Sequence, residues 1–117
     1  MEYVKLGNSG LEVSPICLGC MSFGSAPNWV HNDWALNEAD SRTIIQRALE
    51  LGVNFFDSAN VYAYGNSEAI LGRALKDFAK RDEVVLATKV HGKMRDGANG
   101  GGLSRKVILS EIDNSLR

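Results

Sequence analysis

Charge imbalance, long apolar runs, cysteine and histidine are all scarce in this 117-residue chain. The 13 basic and 14 acidic side chains leave a formal net charge of −1, so neither nucleic acid nor an anionic membrane is expected as a partner. No apolar run approaches the ~20 residues that span a bilayer. The opening MEYVKLGNSG lacks the basic and apolar regions of a secretory signal. A cytoplasmic protein is expected, and the 2 cysteines suit a reducing compartment. Those two, Cys17 and Cys20, have the C-x-x-C spacing. A redox pair would set the first cysteine at a helix N-terminus, where its pKa falls. Here SPICLG reads as a strand, and residues three apart in a strand point to opposite faces. His31 and His91 fit no zinc spacing with them, so no metal is expected. The thiols are read as small apolar strand residues, with a thiol-redox module as the competing reading.

What is present is alternation. EYVKL and LEVS flank a Gly-Asn-Ser-Gly turn and read as a short β-hairpin. Pro15 then opens a strand over Ile16–Leu18 that stops at Gly19. CMSFGSAPNWVHNDWALN has no periodicity and is a long loop, of the kind that is often functional inside compact domains. Trp29, His31 and Trp34 in it either line a pocket or anchor the loop. Asn37 caps a helix whose Ile44, Ile45, Ala48 and Leu49 share an apolar face, and Gly52 ends it. VNFFD is a strand. A helix from about Ser67 carries Ile70, Leu71, Ala74, Leu75 and Phe78 on its inner face. EVVLATK is another strand, and HGKMRDGANGGGLS is a glycine-rich loop. That loop lacks the Gly-Lys-Ser/Thr ending of a P-loop and is read as a flexible segment over the strand ends. Ser104 caps a last helix with Ile108, Ile112 and Leu116 on one face.

Strands alternating with amphipathic helices predict an α/β fold with a parallel sheet under helices. A doubly wound dinucleotide fold would carry G-x-G-x-x-G after its first strand, where this chain has LGCMSFGSAPNW. The better fit is the N-terminal portion of a (β/α)8 TIM barrel preceded by a β-hairpin. Such barrels take ~250 residues and eight units, of which three are seen here. Residues 1–117 are therefore expected to be the N-terminal part of a single barrel domain of a longer protein.

Barrel chemistry sits at the C-terminal strand ends, here Gly19, Asp57 and Lys89. Counting by two puts Phe55 on the face of Asp57, and Ala87 and Val85 on the face of Lys89. Facing inward, carboxylate and ammonium would meet and each favour the other's charge. A tyrosine beside that lysine, ordinarily with pKa about 10, would become a stronger proton donor. Tyr62 and Tyr64 are both near.

Three stretches, KLGNSGLEVSPICLGCMSFG, FFDSANVYAYGNSEAILGRAL and VVLATKV, together resemble the aldo-keto reductase superfamily. They do so in the family's order and at about its spacing, most closely in the bacterial branch related to potassium-channel β subunits. The resemblance implies an NAD(P)H-dependent oxidoreductase of the barrel fold, its bottom closed by the hairpin. It would reduce a small-molecule aldehyde or ketone to the alcohol with NADPH as cofactor. The implied catalytic residues are Asp57, Lys89 and, as proton donor, Tyr62; the family's Tyr-x-x-Gly-x-Ser-Glu pattern selects it over Tyr64. Gly19, Cys20, Met21 and Asp57 are the implied cofactor contacts, with Cys20 standing where relatives often have threonine. The family's catalytic histidine belongs to a fourth strand, which this sequence does not reach. His91 is read as a loop residue, and the chain alone is expected to be inactive. The alternative is a nicotinamide-binding regulatory subunit of the channel β-subunit type.

Overall fold

The computed structural model describes residues 1–117. The hairpin forms as β1 (Val4–Lys5) and β2 (Glu12–Val13), antiparallel, with Val4 opposite Val13 and Lys5 opposite Glu12. Asn54 ties it to the sheet: its Oδ1 accepts from the Ser14 amide at 2.7 Å and its Nδ2 donates to the Glu12 carbonyl at 3.0 Å. The hairpin therefore sits at the N-terminal end of the next strand but one, opposite the end where chemistry is expected.

Three strands make a parallel sheet in the order β3 (Leu18–Gly19), β4 (Phe55–Asp57), β5 (Val85–Ala87). Their register aligns Gly19, Asp57 and Ala87 in one row. β3 starts later than the sequence suggested. Ile16 and Cys17 lie outside it, exposed, and Leu18–Gly19 pair with Phe56–Asp57.

The helices are α1 (Glu38–Glu50), α2 (Asn66–Phe78) and α3 (Arg105–Ser115). Caps fall where the sequence put them. The Asn37 side chain accepts from the Asp40 amide, and Ser104 accepts from the Val107 amide. Gly52, at φ +88°, takes the chain out of α1 in the left-handed conformation. α1 and α2 cover one face of the sheet, where Phe23, Ile45, Phe56, Ile70, Leu71, Ala74, Leu75 and Val84 form the core with Cys20. Phe56 is fully buried there, so its neighbours Phe55 and Asp57 face away from the helices.

Five expected inner-face positions are exposed. The buried side of α1 is Ser41, Ile45 and Ala48, with Ile44 turned outward. Phe78, at the last turn of α2, carries the Arg42 guanidinium 4.7 Å above its ring instead of entering the core. Ile108, Ile112 and Leu116 do share a face of α3, and it is solvent-exposed; Val107 is the buried residue of that helix.

The glycine-rich segment is closed by hydrogen bonds, a correction to its reading as flexible. The amides of Met94 and Arg95 donate to the Gly100 carbonyl, and that of Gly102 to the His91 carbonyl. Arg95 also caps the carbonyls of Ala98 and Asn99. A Cβ on Gly92 would lie 2.7 Å from Val61 Cγ2. Only glycine lets this loop pack so closely against the segment after β4.

Candidate active site

Asp57 ends β4, and Lys89 lies two residues beyond Ala87, the Asp57 partner on β5. Strand periodicity puts both side chains on the sheet face away from the helices. Lys89 Nζ meets Asp57 Oδ2 at 2.6 Å, and donates also to the Ser58 carbonyl at 2.8 Å and to Tyr62 Oη at 3.1 Å. An ammonium has three protons and no acceptor. All three are therefore committed, and the phenol oxygen of Tyr62 is necessarily the acceptor, leaving its own proton free to donate elsewhere. Partial burial works against the lysine charge. The hydrogen bonds and charge of Asp57 and Tyr62 outweigh it and hold the ammonium above the ordinary lysine range.

The turn after β4 decides which phenol arrives. Tyr62 follows Val61 in a short helical turn, and then Ala63 (φ 46°), Tyr64 (φ 50°) and Gly65 (φ 100°) are all left-handed before α2 begins. This reversal sends Tyr64 the other way, to an edge-to-face contact with Trp29 at 5.7 Å. The structure thus brings together Asp57, Tyr62 and Lys89, and leaves Tyr64 outside.

The residues named for cofactor contact divide. Gly19 and Met21 are exposed at the strand end, and a Cβ on Gly19 would meet nothing within 4 Å, so open space borders the row containing Asp57. Cys20 is different. Its side chain is fully buried in the helix-side core, its amide donates to the Asp57 carbonyl at 2.8 Å, and its carbonyl accepts from Ser67 Oγ at 2.7 Å. The Cys20 thiol thus lies on the helix side of the sheet, where the residue braces the strand end from behind.

Cys17 is exposed and Cys20 buried, both as free thiols. Burial, with the Asp57 charge, raises the Cys17 thiol; burial first, then Cys17 and Asp57, pushes Cys20 up to about 12. A redox pair needs an acidic thiol, so this geometry opposes the thiol-redox reading. No three His, Cys, Asp or Glu side chains cluster as a metal site. His31 is packed between Trp29 and Trp34, at 5.1 and 4.7 Å, while His91 is exposed in its loop.

Sequence reasoning missed the polar bracing. Ser58 and Ser67 are buried, with hydroxyls 3.2 Å apart, and the Ser67 hydroxyl donates to the Cys20 carbonyl. Buried Asn60 donates to Glu111 of α3 at 2.9 Å. The signal was available: DSAN directly continues a buried strand, so its small polar residues had to find partners inside. A cleft of about 780 Å³ between α2 and α3 is lined by Asn60, Glu68, Arg73 and Glu111 among others. It includes none of Asp57, Tyr62 and Lys89, and is separate from the chemistry.

Residues 15–117 match the model of the Aldo/keto reductase family. The chain is 40% identical over 134 residues to the versiconal hemiacetal acetate reductase of Aspergillus parasiticus, covering 99% of this chain and 38% of that protein. It is 38% identical over 118 residues to a probable voltage-gated potassium channel subunit beta of Oryza sativa subsp. japonica, covering 100% and 33%. Among solved structures, the holo form of aldo-keto reductase AKR11C1 from Bacillus halodurans aligns with TM-score 0.79 and 35% identity, over 100% of this chain and 36% of that one. The chain spans about a third of the length of these proteins.

Proposed function

The chain belongs to the aldo/keto reductase family, and its fold is the N-terminal portion of a (β/α)8 barrel; from these premises we propose that it carries the proton-donating half of an NADPH-dependent carbonyl reductase. Residues 1–117 form the N-terminal part of a single barrel domain in this reading. The substrate is a small aldehyde or ketone, the product an alcohol, and the compartment the cytoplasm. No helix here is long and apolar enough to cross a membrane.

One observation carries the proposal: Lys89 spends its three protons on Asp57, Ser58 and Tyr62, leaving the phenol proton as the one available to an incoming oxygen. NADPH, when bound, supplies the hydride that the carbonyl carbon receives. Tyr62 gives its proton to the carbonyl oxygen, so that C=O becomes CH–OH, and polarises that oxygen as charge develops on it. Lys89 stabilises the negative charge left on the phenol oxygen until a proton returns from water. Asp57 keeps Lys89 charged and aimed. Gly19, with nothing within 4 Å of a Cβ placed on it, and exposed Met21 would hold the nicotinamide together with Asp57. Cys20 braces the strand end from the core.

A second reading draws on the likeness to a channel β subunit: a nicotinamide-binding regulatory subunit with little turnover. The test is to supply the full-length protein with NADPH and an aldehyde and to follow alcohol formed against cofactor oxidised. Equal amounts over many turnovers support the reductase. Tight NADPH binding without alcohol supports the subunit, and neither result leaves both readings without support.

A further inference from the structure

Two consecutive non-glycine residues in the left-handed region are uncommon, since each L-residue there is disfavoured. Ala63 (φ 46°, ψ 35°) and Tyr64 (φ 50°, ψ 43°) are such a pair, immediately after Tyr62. Something must hold them. Within the turn, the Tyr64 amide donates to the Val61 carbonyl at 3.0 Å, and the Asn66 amide reaches the carbonyls of Ala63 and Tyr62. The Ala63 methyl is fully buried.

The other restraints come from the long loop after β3. Asn66 Nδ2 donates to the Ser25 carbonyl at 2.6 Å. Trp29 sets its ring against that of Tyr64, 5.7 Å apart at 74°, and is itself packed by His31. That loop is tied by its own hydrogen bonds. Asn32 pairs with both the amide and the carbonyl of Ala26, and Gly24 and Leu36 are joined by a 2.8 Å hydrogen bond. Trp29 itself is half-buried, its Nε1 without a protein hydrogen-bond partner.

We infer that Tyr64 and Trp29 are positioning residues: their edge-to-face contact, backed by the Asn66–Ser25 hydrogen bond, holds the left-handed turn at Ala63–Tyr64 and so keeps the Tyr62 phenol on Lys89. The first loop thereby joins the proton-donating apparatus without touching it. This inference rests on the reading of Tyr62 as proton donor. It adds a role for the ring of Tyr64, whose hydroxyl plays no part.

The experiment uses the full-length protein with NADPH and an aldehyde, and compares Tyr64→Ala, Tyr64→Gly, Tyr64→Phe and Trp29→Phe. It also records the ¹³Cζ resonance of Tyr62 in tyrosine-labelled protein, assigned by its loss in Tyr62→Phe. Tyr64→Ala is expected to lower kcat about tenfold or more, with NADPH affinity unchanged and the Tyr62 resonance shifted. Tyr64→Phe keeps the ring and stays within about twofold of the starting protein. Tyr64→Gly also lacks the ring but takes positive φ freely, so it recovers part of what Tyr64→Ala loses. Trp29→Phe, a smaller ring at the same place, falls between.

A Tyr64→Ala protein with full kcat and an unmoved Tyr62 resonance overturns the inference. So does Tyr64→Gly being no better than Tyr64→Ala, which would make the ring a wall of the site and not a brace. If the underlying reading fails instead, Tyr62→Phe remains active. The resonance then still reports whether Tyr64 positions Tyr62.

Discussion

Replacing Lys89 with methionine removes one charge and three hydrogen bonds while keeping the stem's length. The ammonium lies 3.1 Å from the Tyr62 oxygen. A full charge developing there interacts with it by about 1.3 kcal/mol at a water-like dielectric and about 5 kcal/mol at an effective dielectric near 20. The lysine side chain is 48% exposed, so solvent screening places the effect toward the lower figure, roughly 2 kcal/mol. That is a fall of ~30-fold in the chemical step. Single-turnover oxidation of NADPH by an aldehyde in the full-length protein measures it. Stability should respond little, because half-exposed ion pairs contribute little. The sign of its pH dependence follows from the raised lysine. Its contribution is fully present below the unfolded-state pKa of lysine and is lost as pH rises through the higher folded value. Lys89→Met should lack that small alkaline loss. A variant that turns over normally, or one that loses rate only because it unfolds, refutes the electrostatic argument.

Phe56→Ala should cost ~3–5 kcal/mol in a denaturant titration, since the ring is fully buried between the sheet and both covering helices; a cost below about 1 kcal/mol would mean the core lies elsewhere. A thiol reagent should label Cys17 in the native protein and Cys20 only on unfolding, because Cys20 is buried and pushed up to about 12. Equal native labelling contradicts the inward turn of that residue. Glu38 is held below the usual carboxylate range by its hydrogen bond to Arg73. Its contribution is therefore present above the unfolded-state value and disappears as pH falls through the folded one, and Arg73→Met should flatten that acid limb of the stability curve.

The parts legible in the sequence were those fixed by local chemistry. Asn37 and Ser104 cap because their side chains reach the amide three residues on, and Asp57 and Lys89 meet because strand periodicity gives them one face. What escaped depended on distant packing. β3 has only two residues, too few for alternation to set its frame, so the burial of Cys20 was not foreseen. Ile44 is about 100° around the helix from Ile45, and only Ile45 is buried. The left-handed pair Ala63–Tyr64 has no local signal at all, since neither residue favours that backbone. Nor did the glycines of residues 97–102 announce a closed loop, whose carbonyl acceptors are known only once the chain has folded back.

The central claim is that Tyr62, held by Lys89, supplies the proton. The most direct measurement compares hydride-transfer turnover and NADPH affinity in Tyr62→Phe and Tyr64→Phe versions of the full-length protein. Tyr62→Phe keeps the ring and should lower kcat by ~10²–10⁴-fold with NADPH affinity little changed, while Tyr64→Phe stays near normal. Near-normal turnover in Tyr62→Phe together with collapse in Tyr64→Phe would contradict the account.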